Sequence, residues 1–251
     1  VAAAFADISL VQILVIAAMA LFAAVVGGVA GYGTGALMPL VLVPIVGPEP
    51  VVPIIALSAL ATNAGRVTAY RKAVDPRRAL TVLLCAAPTC ALGAYGYTLL
   101  TSRGALLVIG GMMVASVPLR RVLARRGRRL GDRGLAATAF GWGVVVGGTS
   151  GAGVLLLSML MAAGLEGAAV IATDAAVTIA MGLVKVAVFG VAGVLTAQVV
   201  VVAALIGAIA FPAAFLARAL VERLPVHVHA AILDAVVVFG GAVMIAGALR
   251  G

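Results

Sequence analysis

Arg66 and Lys185 each stand inside an otherwise apolar run of the chain, with Asn63 one turn before the first and Asp174 three turns before the second. Charges and amides are costly in hydrocarbon and ordinarily face a cavity or a partner. Two cations with an amide donor are the chemistry of anion binding, so Asn63, Arg66 and Lys185 are candidate ligands for a small anion. A mechanical reading stands beside this one. Arg66 is about a turn from the end of its run and Lys185 about a turn and a half, close enough for long side chains to snorkel to the headgroups. Asp174 reads as a carboxylate near the start of its helix, meeting the helix dipole, with proton coupling as the functional alternative.

Glycine supplies the second set of candidates. Gly31-Tyr32-Gly33-Thr34-Gly35 interrupts one apolar run, and Gly147-Gly148-Thr149-Ser150-Gly151-Ala152-Gly153 interrupts another. Each break is expected to precede a short helix whose first N–H groups are unpaired and partly positive, a site for an oxyanion. Thr34, Thr149 and Ser150 would add hydroxyl donors, and Tyr32 would line or fill the first break. Unwound backbone at membrane depth is tolerated only where it is buried in protein or lines a cavity. The alternative is that these glycines are helix-packing surfaces. The candidate substrate site is therefore Gly31, Tyr32, Gly33, Thr34 and Gly35 with Thr149, Ser150, Gly151 and Gly153, joined by Asn63, Arg66 and Lys185.

What must position these residues is a bundle in lipid. Of 251 residues, 65% are apolar and 10% charged, and the mean hydropathy is +1.28, which excludes a soluble domain of this size. Apolar runs separated by Gly, Pro and charge give ten segments, near 9–30, 34–46, 51–70, 79–100, 104–119, 134–148, 152–164, 168–190, 196–217 and 228–249. The expected fold is an all-α integral membrane protein, a polytopic helix bundle forming one membrane domain. Since about 20 residues cross the hydrocarbon, 34–46, 134–148 and 152–164 read as half-helices or re-entrant pieces. The first segment has no basic leader and reads as a retained helix rather than a signal peptide.

The net charge of +9 would suggest nucleic acid in a soluble protein, but the basic residues sit in short loops and read as topology signals. Arg71, Lys72, Arg77 and Arg78 lie in one such loop and seven arginines from Arg120 to Arg133 in another, so both are expected in the cytoplasm, along with Arg218 and Arg223. The Arg-rich stretch has a rival reading as a site for anionic lipid or a partner. In this orientation the run 51–70 points inward and 168–190 outward. Cys85 and Cys90 are five apart on different helix faces and suggest neither disulfide nor metal. His227 and His229 read as interfacial, and Trp142 as a packing or interface residue. No metal or cofactor is expected.

Sliding the chain by 120 residues superposes Gly27, Gly28, Gly31, Gly33 and Gly47 on Gly147, Gly148, Gly151, Gly153 and Gly167. The chain therefore reads as repeat 1 over 1–119, an Arg-rich linker over 120–133 and repeat 2 over 134–251. Each copy has five segments, an odd number, so the second must enter the membrane from the other side. The basic loop 71–78 accordingly corresponds to 191–198, which carries no charge. At the same offset Lys185 falls on Gly65, beside Arg66, so each half brings one cation. Inverted repeats with broken helices are an architecture of secondary transporters.

The glycine motif with Pro39, the run Asn63 to Asp75 ending in Tyr70-Arg71-Lys72-Ala73-Val74-Asp75, the second glycine break and the turn Gly193-Val194-Leu195 together resemble the sulfite exporter TauE/SafE family of membrane permeases. The likeness covers nearly the whole chain. It implies export of a small sulfur-containing anion, such as sulfite or an organosulfonate, across a bacterial inner membrane. Two departures are notable: Thr34 interrupts a glycine run that the family tends to continue, and Met159 stands where a repeat of Pro39 would fall.

The reading that joins these features is a secondary transporter working by alternating access. A passive anion channel and a membrane anchor without transport are its rivals, and the anchor would have continuous helices where the breaks are expected. An enzyme would need a nucleophile with its base, or metal ligands, at one depth, and no such constellation is present. The expected partners are the anion and the bilayer, with no nucleic acid; small-residue faces permit a homodimer without requiring one.

Overall fold

The computed structural model describes residues 8–30, 33–125, 130–221 and 226–250. Among them the chain is helical and has no strand. The helices are α1 (Leu10–Ala30), α2 (Gly33–Leu37), α3 (Pro39–Val46), α4 (Val51–Tyr70), α5 (Pro76–Thr98), α6 (Ser102–Arg125), α7 (Asp132–Gly148), α8 (Gly153–Ala162), α9 (Ala168–Val191), α10 (Ala197–Val221) and α11 (Val226–Arg250). Four stretches, Val51–Ala73, Pro76–Thr98, Ser102–Leu119 and Ala168–Val191, are long and apolar enough to cross a membrane. Many of their large apolar side chains point outward, Leu84, Leu92 and Leu183 among them, as lipid-facing residues do.

The expected segments return as these helices, with one division. The run 34–46 splits at Met38 into α2 and α3 because Pro39 has no N–H to donate to the Gly35 carbonyl four residues back. α7 and α8 are separated by the unwound stretch 149–152. Gly147 and Gly148, expected within that break, are instead the last residues of α7 and serve packing. Asp174 is likewise no helix cap: α9 begins at Ala168 after Gly167, whose φ of 53° suits glycine, and Asp174 lies well inside the helix.

Two sets of contacts define the ends of the bundle. At the basic end, Asp75 accepts from the Arg78 N–H and caps α5, while its own N–H donates to Thr173 Oγ1 on α9 at 2.9 Å. Arg78 also pairs with Asp75 at 2.6 Å and donates to the Ala163 carbonyl at the end of α8 at 2.8 Å. The Leu130 N–H donates to the Ala162 carbonyl at 2.7 Å, so the chain enters α7 and leaves α8 at the same place. At the opposite end Tyr97 Oη donates to the Pro48 carbonyl at 2.8 Å and Ser102 Oγ to Glu49 at 2.6 Å.

The direction of packing follows from side-chain and glycine contacts. Arg66 meets Asp174, while Ala56 and Leu60 crowd Gly182, so α4 and α9 run antiparallel. Gly110 meets Met244 and Ile245, and Met113 meets Gly240 and Gly241, so α6 and α11 do the same. α5 and α7 run parallel along a seam of small residues. There a methyl group on Gly143 would strike Thr89 and the Ala86 backbone, one on Gly147 the Cys90 carbonyl, and one on Gly93 the Val144 carbonyl. Lipid supplies no hydrophobic force between helices, so this close approach, with its dispersion contacts, is what holds the seam.

Gly143→Val is expected to cost at least about 3 kcal/mol, because neighbouring backbone rather than a flexible side chain must move. Gly96→Ala, which would meet open space, is the neutral control. Thermal unfolding of both proteins in detergent, read as loss of monodisperse protein, checks the difference.

Candidate functional site

Residues of the two glycine motifs meet, and of the first motif Gly33, Thr34 and Gly35, expected in a break, are instead helical in α2. Gly35 in α2 lies against Gly151 so closely that a Cβ on Gly35 would come within 3.0 Å of the Gly151 nitrogen, and one on Gly151 within 3.4 Å of the Gly35 carbonyl. Gly151 also has a φ of 84°, which other residues rarely adopt. That carbonyl of Gly35 is the one denied its usual partner by Pro39. Thr34, Thr149 and Ser150 are buried beside this junction, and the Ser150 hydroxyl has no protein partner. Gly33 and Gly153 open α2 and α8, while Gly31 and Tyr32 lie outside the described residues.

Lys185 and Trp142 hold the second break in shape. Lys185 Nζ donates to the Val146 carbonyl at 2.9 Å and to the Thr149 carbonyl at 3.2 Å, placing a cation on the negative end of α7. These carbonyls lie where the α7 ladder ends and would otherwise lack partners. Trp142 Nε1 donates to the Ala152 carbonyl at 2.9 Å from about two turns before the break. The sequence marks Trp142 as a packing or interface residue, and its indole N–H was the one signal for this bonding role. Cys90 Sγ lies 3.9 Å from the Met181 carbonyl, and both cysteines are free thiols.

The second polar cluster is at the basic end. Arg66 on α4 and Asp174 on α9 approach to 3.6 Å, with side chains 14% and 5% exposed. Asp174 Oδ1 has no hydrogen-bond partner. Arg66 is thus paired inward and does not snorkel, and the same holds for Lys185. Asn63 sits one turn before Arg66 and donates Nδ2 to the Ala59 carbonyl at 2.9 Å. Buried Ser58 and Thr62 also lie on α4 and bond back to their own helix, as hydroxyls in helices do. These two residues and Thr173 went unnoticed in the sequence because hydroxyls in an apolar run carry no charge to flag them.

Asp174 and Lys185 are eleven residues apart on α9, about 16 Å along the axis at the usual rise. In this conformation a small anion would meet Arg66 and Lys185 in turn rather than together. A cavity of about 380 Å³ opens at the opposite end of the bundle, lined by Glu49, Pro53, Tyr97, Thr98, Thr196 and Gln198 among others. Among the described residues no cluster of His, Cys, Asp and Glu could hold a metal. The side chains of Arg218, Arg223, His227 and His229, like most of the Arg-rich stretch 120–129, lie outside the described residues.

Long apolar helices, an unwound break lined by hydroxyls and an internal ion pair define a multi-pass membrane protein with polar machinery inside its bundle. The model of the family described as Sulfite exporter TauE/SafE matches residues 16–244, and the chain belongs to this family of membrane transporters. No curated protein and no solved structure matched it.

Asp75 makes a pH prediction at the basic end. The Arg78 N–H, and then the Arg78 guanidinium, hold its carboxyl below the ordinary carboxylate range against an opposing effect of burial. Its contribution to stability is full above the pKa of the unfolded chain and is lost as pH falls through the lower folded value. Asp75→Asn is therefore expected to unfold less steeply than wild type between about pH 5 and pH 3, as measured by thermal unfolding across that range. A second prediction concerns the break. Trp142→Phe removes one of the two hydrogen bonds to the Ala152 carbonyl, which keeps the Leu155 N–H at 3.1 Å, and is expected to cost about 0.5–1.5 kcal/mol, measurable in the same assay.

Proposed function

We propose that this protein is a secondary transporter for a small sulfur-containing oxyanion, such as sulfite or an organosulfonate, which crosses by alternating access between two inverted-topology repeats. The observation that carries this reading is the meeting of the two glycine motifs, Gly35 on Gly151, with buried hydroxyls around the junction and Lys185 at its rim. A membrane anchor needs no such junction. The substrate class follows from membership in a sulfite exporter family. The inverted arrangement is supported by direction: α4 and α9, which correspond at the 120-residue offset, run antiparallel, and so do α6 and α11. The α7–α8 hairpin, with both ends at the basic end, supports a re-entrant reading of these short helices.

In this reading the basic end faces the cytoplasm of a bacterium, in keeping with the positive-inside rule. The Arg66–Asp174 pair closes that end and the cavity beside Glu49 opens the other, so the conformation is outward-facing. The anion binds at the glycine junction, with Thr34, Thr149, Ser150 and the first N–H groups of α8 as donors. Asn63 and Arg66 receive it when the basic end opens. Transport needs no nucleotide, and the chain carries no nucleotide-binding motif.

Thermal shift of purified protein with sulfite, sulfate, thiosulfate and small organosulfonates tests the reading. At a hundredfold excess over Kd, one of these anions is expected to stabilise wild type by about 3 kcal/mol. Arg66→Ala is expected to weaken that shift without abolishing it, because the site at the basic end is lost while the junction remains. Lys185→Ala is expected to lower the melting temperature before any anion is added, since α7 loses its cap, and to weaken the shift. Stabilisation by a cation or neutral solute, with none by any anion, would sink the oxyanion reading.

A further inference from the structure

Asp174 is a buried carboxyl with a single ionic contact, at 3.6 Å to Arg66, and a second oxygen that meets no donor. A carboxylate so placed is poorly compensated as an anion, while Oδ1 offers a place for a proton. Arg66 stands one turn from the basic end, where an anion entering from that side would arrive. One guanidinium in a low-dielectric site cannot serve two anions without leaving uncompensated charge. We propose that anion and Asp174 compete for Arg66, so that an anion binds there only as Asp174 takes up a proton, and proton and anion then move together.

The charge balance favours this exchange. Before binding, Arg66 and the Asp174 carboxylate sum to zero. Afterwards the carboxylate has become a carboxylic acid with its proton drawn from water, its ion pair with Arg66 is broken, and Arg66 pairs with the anion. The sum is again zero provided that the anion carries one negative charge. A singly charged oxyanion, such as a sulfonate, is thus the preferred ligand over a doubly charged one, because the cation at Lys185 is engaged by the α7 carbonyls. The surroundings of Asp174 hold few competitors. From α4 come Arg66 and, one turn on, Tyr70; the turn after α4 brings Arg71 and Lys72; the start of α5 brings Asp75 and Arg78, paired with each other beside Thr173, and Arg77, paired with Asp132 at the start of α7, where Arg133 follows; further along α5 lies Cys90; and α8 has no titratable side chain.

This inference rests on the anion-transporter reading, and the experiment separates the two. Purified protein is titrated with methanesulfonate and with thiosulfate by calorimetry between pH 5 and pH 8, each in two buffers of different ionisation enthalpy, which counts protons taken up per anion. Methanesulfonate keeps its charge throughout this range, whereas sulfite titrates within it. His227→Gln/His229→Gln serves as the background, since imidazoles titrate in the same window. Wild type is expected to bind methanesulfonate more tightly than thiosulfate, to take up to one proton per anion, and to gain up to about tenfold in affinity per unit fall in pH while Asp174 is ionised. Asp174→Asn is expected to bind with an affinity independent of pH and to take up none. Should that variant fail to fold, difference infrared spectra of wild type are expected to gain a protonated-carboxyl band on anion binding, displaced in Asp174→Glu. Binding without proton uptake, or uptake that persists in Asp174→Asn, overturns the coupling and leaves the transporter reading standing. No binding of either anion at any pH overturns both.

Discussion

Backbone that leaves a helix inside a membrane must find its hydrogen bonds within the protein, and the unwound stretch 149–152 is where this chain meets that demand. Lys185 reaches across from α9 to the Val146 and Thr149 carbonyls, and Trp142 reaches forward to that of Ala152. Each side chain supplies donors where the α7 ladder runs out. Ser150 is left with a buried hydroxyl that has no protein partner. The same lysine thus caps the end of α7 and bonds the first residue of the unwound stretch.

A second constraint is closeness. Gly93, Gly143 and Gly147 bring α5 against α7 at backbone distance, and Gly35 and Gly151 bring the two motifs together in the same way. A side chain at Gly93, Gly143 or Gly147 would push backbone apart, one at Gly35 would be tight against the Gly151 nitrogen, and at Gly151 the φ of 84° rather than crowding favours glycine. The seam and the junction are continuous, since Gly147 is only two residues from Thr149. Glycine here does two different tasks within five residues: packing at Gly147 and Gly148, and conformation at Gly151 with its φ of 84°.

The antiparallel pair α4 and α9 links the junction to the basic end. It carries Asn63, Arg66, Asp174 and Lys185, so any tilt between these helices changes the polar contacts at both levels at once. Arg78 ties the end of α8 to the start of α5, and Thr173 ties α9 to Asp75, so the loop after α4 is fastened to the elements that hold the ion pair. Movement at the basic end therefore strains a network of named bonds rather than a single contact.

Hydropathy and breaks by themselves determined the helices, their number to within the division at Met38, and the identity of the polar residues that needed partners. This was legible because lipid penalises every exposed polar group, so a charge in an apolar run marks itself. The glycine spacing likewise marked the break at 149–152, although it could not separate Gly147 and Gly148, which pack, from Gly151, which turns, nor foresee that Gly33 to Gly35 are helical. Only the tertiary structure decided which partner each polar group found: Arg66 took Asp174, Lys185 took the end of α7, and the two cations that the repeat offset pairs are three turns apart. Pairings of that kind depend on how far one helix slides and turns against another, a rigid-body choice that a one-dimensional pattern of apolar and polar residues does not contain.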